Sequence, residues 1–477
     1  MSSVVKIYAL FLGSALLMFG GGLQGLLLSV RGAEEEFSLL ALGLIGTGWS
    51  VGFVAGSIMV PEIVRRVGHI RAFSVMAAIG TVTILLNLLW VNDIGWITLR
   101  ALSGFCFAGA AMIVESWLNE VSDNRSRGTI FSIYVTINMA ASTIGQLSMS
   151  ITGTAGYLPF VIGAISFICA VLPTSLTSSP QPKPLSSAKL DIRLLYKTSP
   201  IAAVAAFACG MANGTFGTLA PVYGYEQGLD SAGIAYLFAV TAVLGAMAQI
   251  PAGRLSDRID RRLVLIGLSS FAAFIGILML IINPGQGPLM YILFGAYGLS
   301  AYPLYAVAVA HANDFAKDGD FAKIAGGMLL ILGVGLAIGP AIASLLMGVL
   351  GPVALFAVTL TFHALLAVAA FLRMRVRSAP DAADRAPFQA TLSDRPITPE
   401  SLVLDPRGEF EAVPPVPTAP TAPAATATPS PEPVAEAPAP GPVAPEPVQP
   451  EATTPEPDAS DPPPAETSPD VQDRDKS

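Results

Sequence analysis

The sequence predicts an all-α membrane protein. Twelve transmembrane helices form two pseudo-symmetric six-helix bundles, and a disordered tail follows. Three observations lead there. Only 13% of the 477 residues are charged, against about 25% in a soluble domain. Twelve apolar stretches of about 18–25 residues recur before residue 378, each long enough to cross a hydrocarbon core about 30 Å thick. Composition then changes abruptly after Arg377.

In order, the stretches cover roughly 7–30, 39–61, 72–91, 94–117, 129–150 and 155–173, then 200–223, 231–252, 263–283, 288–311, 323–348 and 352–373. Backbone polar groups in hydrocarbon must be satisfied within the segment, so each is expected to be a helix. The first is too long for a signal peptide and lacks a small-residue cleavage site, so it reads as the first membrane helix. The loop 174–199, with "TSSPQPKPLSSAK", divides the helices six and six. The expected domains are therefore 1–173, the linker 174–199, 200–378, and the tail 379–477.

Charge sets the expected orientation. With the N-terminus inside, the inner segments carry 19 Lys and Arg, and the outer loops carry only Arg31, beside Glu34, Glu35 and Glu36. This is the positive-inside pattern. It places both termini and the turn "GRLSDRIDRR" in the cytoplasm of a bacterial inner membrane. Residues 381–477 hold 24 of the 39 prolines, 18 acids and five Lys/Arg. Such text cannot bury a core and is expected to be a disordered, partly polyproline extension. It is either a solvated tail or a docking strip for a cytoplasmic protein.

Enzyme chemistry finds no support. Cys106, Cys169 and Cys209 lie in different spans, and no Cys/His cluster has zinc-ligand spacing. No phosphate loop, HExxH or GxSxG motif occurs. No cofactor, metal or nucleic acid is expected.

The two halves resemble each other. A shift of 194 residues lays "ESWLNEVSDNRSRG" over "VAHANDFAKDGDFA", bringing Asn119 onto Asn313, Glu120 onto Asp314, Gly104 onto Gly298 and Gly145 onto Gly339. A shift of 193 brings Gly21 onto Gly214 and Ser38 onto Ser231, and one of 192 lays "PEIVRRVGHIR" over "GRLSDRIDRRL". Six helices per half is an even number, so the repeats enter the membrane in the same sense.

Over residues 1–378 the chain resembles the major facilitator superfamily. The family's loop signature G-x-L-x-D-R-x-G-R-[RK] is met by Gly253, Leu255, Asp257, Arg258, Arg261 and Arg262, with Asp260 replacing the second glycine. The first-half copy keeps Arg66 and Gly68 but has Arg65 in place of the aspartate. Arg100, Gly104 and Ala108 match the family's R-x-x-x-G-x-x-x-A in the fourth helix. "GVGLAIGP" resembles the antiporter G-x-x-x-G-P motif but lies in the eleventh helix, and Gln146 stands where the fifth helix would carry that proline. "ESWLN" and "RRVGHIRAF" resemble a branch of uncharacterised bacterial members.

The resemblance implies a gradient-driven or facilitative transporter that moves a small solute by alternating access. It implies loop arginines that clamp acids at neighbouring helix ends. Asp257 with Arg258 or Arg261, aided by Asp314, would form one clamp; Glu115 and Glu120 would serve Arg65 and Arg66 in the other. The alternative is a topology anchor without gating. The resemblance also implies a central cavity walled by the first, fourth, seventh and tenth helices.

Arg100 is the clear charge within the membrane, and such charges are costly and mark function by default. It would bind an anionic group or tune a proton acceptor, or else hydrogen-bond helix carbonyls structurally. Gln24 and Asn213 would line the cavity or act as helix–helix glue. Tyr302 and Tyr305, three apart, would share an aromatic wall or face lipid. His311 and His363 read as packed or interfacial. The expected partners are a small-molecule substrate, H+ or another coupling ion unless transport is uniport, and the lipid bilayer. The expected state is a monomer. The rival is a membrane scaffold or sensor that works through its acidic, proline-rich tail.

Overall fold

Polar residues at the mouths of the apolar runs start the helices. In a computed structural model, which describes residues 3–122, 127–175, 191–317, 320–376 and Phe388, α1 (Ser3–Glu34) is followed by α2 (Leu39–Val67), α3 (His69–Leu89), α4 (Asp93–Val121) and α5 (Arg127–Thr152). After α6 (Leu158–Cys169) and α7 (Val171–Ser175), the linker contributes α8 (Ile192–Thr198). Then come α9 (Pro200–Glu226), α10 (Ser231–Arg258), α11 (Arg261–Ile282), α12 (Pro288–Asp314), α13 (Phe321–Leu350) and α14 (Leu355–Met374). Side chains of Ser38, Asn92, Asp191, Ser199, Asp230 and Asp260 accept first-turn amides, which have no partner inside a helix.

Among the described residues, 11 helices are long and apolar enough to cross a membrane. The sixth expected span differs. It is a shorter apolar segment, Leu158–Thr174, split after Cys169 into α6 and α7. Pro173 has no N–H for the Cys169 carbonyl, and its ring crowds that oxygen, so the ladder breaks there. The seventh to twelfth expected spans correspond to α9–α14. The expected tail, 379–477, lies outside the described residues except for Phe388, as does most of the linker.

Helix packing repeats along the chain. In the first half α1 packs on α5, α2 on α4 and α3 on α4 and α6; in the second, α9 packs on α13, α10 on α12 and α11 on α14. The repeat-matched glycines sit at these crossings. A Cβ on Gly104 would strike the Trp49 carbonyl across α2–α4, and one on Gly298 would strike Thr241's across α10–α12. Small residues let backbones approach this closely where the surrounding lipid provides no hydrophobic drive. At the helix starts the repeat offset is 192: Ser38 caps α2 and Asp230, not Ser231, caps α10.

The halves meet through α2 on α13 and α5 on α10. Thr47 Oγ1 donates to the Ala337 carbonyl at 2.6 Å, and added Cβ atoms on Gly43 and Gly46 would strike Ser344 and Thr218. These approaches lie toward the ends of α2 and α13 remote from the basic turn after α10. The outer surface is apolar: Leu89, Ile94, Ile151 and Ile281 are more than three-quarters exposed, as a lipid-facing surface requires.

Candidate functional site

A cavity between the halves offers about 910 Å³ of unfilled space, the open solvent at its mouth included. The first half lines it with Gln24 and Ser29 from α1, Trp49 and Ser50 from α2, Arg100 and Phe107 from α4, and Gln146 from α5. The second half supplies Asn213 and Thr218 from α9, Phe238 from α10, Tyr302 from α12 and Leu336 from α13. No Asp or Glu is among these described lining residues.

Arg100 is held from two sides. Its Nη1 donates to Gln24 Oε1 at 3.0 Å, and its guanidinium lies 5.7 Å from the Trp49 ring centroid, within cation–π range. Ser103 Oγ also donates to Gln24 Oε1 at 3.0 Å. Two donors on one oxygen fix the amide's orientation. The Gln24 Nε2 group is therefore turned elsewhere, and it is a buried donor without a hydrogen-bond partner among the described residues. Gln146 Oε1 is a buried acceptor in the same condition. The wall thus offers a cation, an unused donor, an unused acceptor and several ring faces.

Gln24, Arg100, Asn213 and Tyr302 come together here. Tyr305 does not: it is 2% exposed and packs in an apolar cluster with Cys209, Leu304 and Leu336. Residues three apart on a helix differ by about 60° in direction, enough to turn Tyr305 from the cavity. Trp49, Gln146 and Thr218 join the wall without having been expected there. Gln146 had a signal, a polar residue where the family motif has proline.

The basic turn after α10 forms a compact network. Arg261, whose side chain is 2% exposed, donates to Asp314 Oδ2 at 2.8 Å, Ser256 Oγ at 3.0 Å and Asp257 Oδ1 at 3.1 Å. Arg262 makes a forked pair with Asp260 and reaches the Arg373 carbonyl at 3.3 Å. Burial pushes the Asp260 carboxyl upward, but hydrogen bonds and charge from Arg262 outweigh it, holding it below its usual value. Asp260 also explains its own departure from the signature. Its backbone has φ −60°, whereas Gly68, its first-half counterpart, has φ +85°, a region that favours glycine. Arg258 is exposed, outside this network. Phe388 packs against Gly253, where an added Cβ would strike its ring, and its N–H meets Asp257 Oδ1 at 3.2 Å.

The first half is arranged differently. Arg65 and Arg66 both pair with Glu62 one turn earlier on α2, in place of the expected Glu115 and Glu120. Glu120 is exposed. Glu115 is 4% exposed and accepts from the Tyr134 hydroxyl at 3.1 Å. The physical reason lies at the position equivalent to Arg261. It holds His69, 2% exposed, whose Nε2 lies 3.4 Å from Ser116 Oγ. Without a buried guanidinium there, Glu120, the counterpart of Asp314, stays at the surface, while Glu115 is held by Tyr134 instead. His363 is buried against Tyr297 at 3.2 Å.

The model of the Major Facilitator Superfamily matches residues 10–246 and 202–427. An uncharacterised MFS-type transporter of Enterobacter sp. (strain 638), Ent638_1421, is 25% identical over 319 residues, 66% of this chain and 82% of that one. YcaD of Shigella flexneri, likewise an uncharacterised MFS-type transporter, has the same identity and coverage. Among solved structures, nucleoside transporter NupG superposes with TM-score 0.65 at 12% identity, over 79% of this chain and 100% of that one. A bacterial homologue of the human lysosomal transporter Spinster, inward-facing and occupied, gives 0.63 at 17%, over 80% and 97%.

Proposed function

The chain belongs to the major facilitator superfamily and is a membrane transporter, and from that premise we propose that its two six-helix halves carry a small solute by alternating access through the central cavity. The solute has an anionic or strongly hydrogen-bond-accepting group and a planar ring. The observation behind this is Arg100 on the wall of a cavity whose described lining holds no carboxylate. A cationic solute would meet repulsion there, while an anion meets an arginine already oriented by Gln24 and Trp49. Trp49, Phe107, Phe238 and Tyr302 supply ring faces.

The positive-inside asymmetry supports cytoplasmic termini in a bacterial inner membrane. Contacts between the halves remote from the basic turn support a conformation open toward the cytoplasm. The buried Glu115 is a candidate for proton coupling, with uniport as the alternative. The Arg261–Asp314–Asp257 network is proposed to break in one state of the cycle, biasing the equilibrium by its differential energy.

Thermal stability of the purified chain against a metabolite and drug panel tests the reading. A solute that binds the folded form must stabilise it. Ring-bearing organic anions should raise Tm in wild type, fail to do so in Arg100→Ala, and act partly in Arg100→Lys, which keeps charge without the fork. Hits confined to organic cations, or a response untouched by Arg100→Ala, count against it. The rival scaffold reading has one supporting observation, Phe388 seated on the signature turn. Deleting residues 381–477 should spare uptake by a transporter and silence a scaffold.

A further inference from the structure

A second cleft opens at the basic end of the second half, remote from the central cavity. Lys197 of α8, Ser199 and Pro200 at the start of α9, Arg262 of α11, His311 of α12 and Arg373 of α14 line it, with Ile201, Phe315 and Val376 as apolar wall. It offers about 640 Å³ of unfilled space, the open solvent at its mouth included. In the sequence these groups are scattered: Arg262 belongs to the turn signature, Lys197 and Arg373 to the positive-inside segments, and His311 reads as packed or interfacial. The fold brings them to one place from five helices.

Two independent features point to a ligand. The first is charge. Arg262 is neutralised by Asp260, but Lys197 and Arg373 have no carboxylate within ion-pair distance among the described residues, so the cleft carries excess positive charge. The second is His311. It is 5% exposed, and neither ring nitrogen has a hydrogen-bond partner among the described residues. A neutral imidazole carries one N–H donor and one acceptor, and a buried donor left unmade is costly. Around it stand the Phe315 ring, Arg262 and Asp260, and the Asp260 carboxylate is already engaged by Arg262. An oxyanion entering the cleft would accept from His311 while Lys197 and Arg373 balance its charge.

We propose that this cleft is a phosphate-binding site, filled by a phosphodiester headgroup from the adjoining leaflet or by soluble phosphate. The apolar wall beside the cations fits acyl chains and favours the lipid source. Basic pockets between membrane helices on the cytoplasmic side hold anionic headgroups by this chemistry. The site stands on its own geometry and does not depend on what the central cavity carries.

The test uses the full chain purified in neutral detergent. Tm and retained lipid, by native mass spectrometry, are followed on titration with dioleoylphosphatidylglycerol, dioleoylphosphatidylcholine or inorganic phosphate. Phosphatidylglycerol should raise Tm, and phosphatidylcholine should not. Each cation near a headgroup is worth roughly a fivefold change in affinity, so the double variant Lys197→Gln/Arg373→Gln should weaken binding on the order of 25-fold. His311→Gln, which keeps a donor, should bind better than His311→Leu. A shift reproduced by phosphate alone and lost in the double variant assigns the soluble source; one seen only with phosphatidylglycerol assigns the lipid. The proposal is overturned if neither anion shifts wild type. It is equally overturned if the double variant responds as wild type does, which would leave the cations as counter-charges for helix ends only.

Discussion

Arg261 and Arg66 show how little a residue's identity says about its energetic role. Both sit in copies of one loop motif, yet Arg261 is 2% exposed and Arg66 is 75% exposed. Removing one partner of a buried pair strands the other charge, at a cost of about 3–5 kcal/mol. Exposed pairs within one helix turn contribute little. Asp314→Ala takes from Arg261 its buried carboxylate and leaves the more exposed Asp257, so it is expected to lower Tm by several degrees, whereas Arg65→Gln and Arg66→Gln leave it within error. Thermal unfolding in detergent reads both, and equal losses would show that the two clamps are alike after all. The motif alone did not distinguish them. His69 in place of arginine was legible in the 192-residue alignment, but its consequence needed the burial of that position.

At the level of helices, the crossings explain why certain glycines recur at a fixed offset. Gly104 and Gly298 meet the carbonyls of Trp49 and Thr241, which are themselves 192 residues apart. The repeat thus preserves a contact. Gly298→Val should destabilise by about 1–3 kcal/mol or more, because α10 must move away from α12. Gly267→Ala, where an added Cβ meets nothing within 4 Å, should be neutral or slightly stabilising through helix propensity. Comparable Tm losses in the two would remove close approach as the cause. The sixth span shows the opposite lesson. Its apolar length predicted one helix, and a single proline divided it.

For the whole molecule, the decisive contacts run between the halves. Thr47 and Ala337 are hydrogen-bonded across α2 and α13, and alternating access requires such contacts to open. A Val54→Cys/Gly333→Cys pair across the same two helices, where a Cβ on residue 333 would lie 3.8 Å from that of residue 54, within disulfide reach, should cross-link on oxidation in vesicles and stop uptake, with activity returning on reduction. Uptake that continues in the cross-linked protein would mean that this seam does not part during the cycle.

Membrane insertion, helix order and duplication were legible in the linear chain, because hydrocarbon imposes length and polarity rules on each segment without reference to its neighbours. Loop charge and the turn signature are local in the same sense. The site was legible only in part. Gln24, Arg100, Asn213 and Tyr302 stood out as polar or aromatic residues in apolar text, but the direction each faces depends on helix rotation and crossing. That is why Tyr305 left the cavity while Trp49 and Gln146 entered it. The anion cleft was invisible for the same reason. Its residues span 197–376, and their shared field exists only once five helices bring them together.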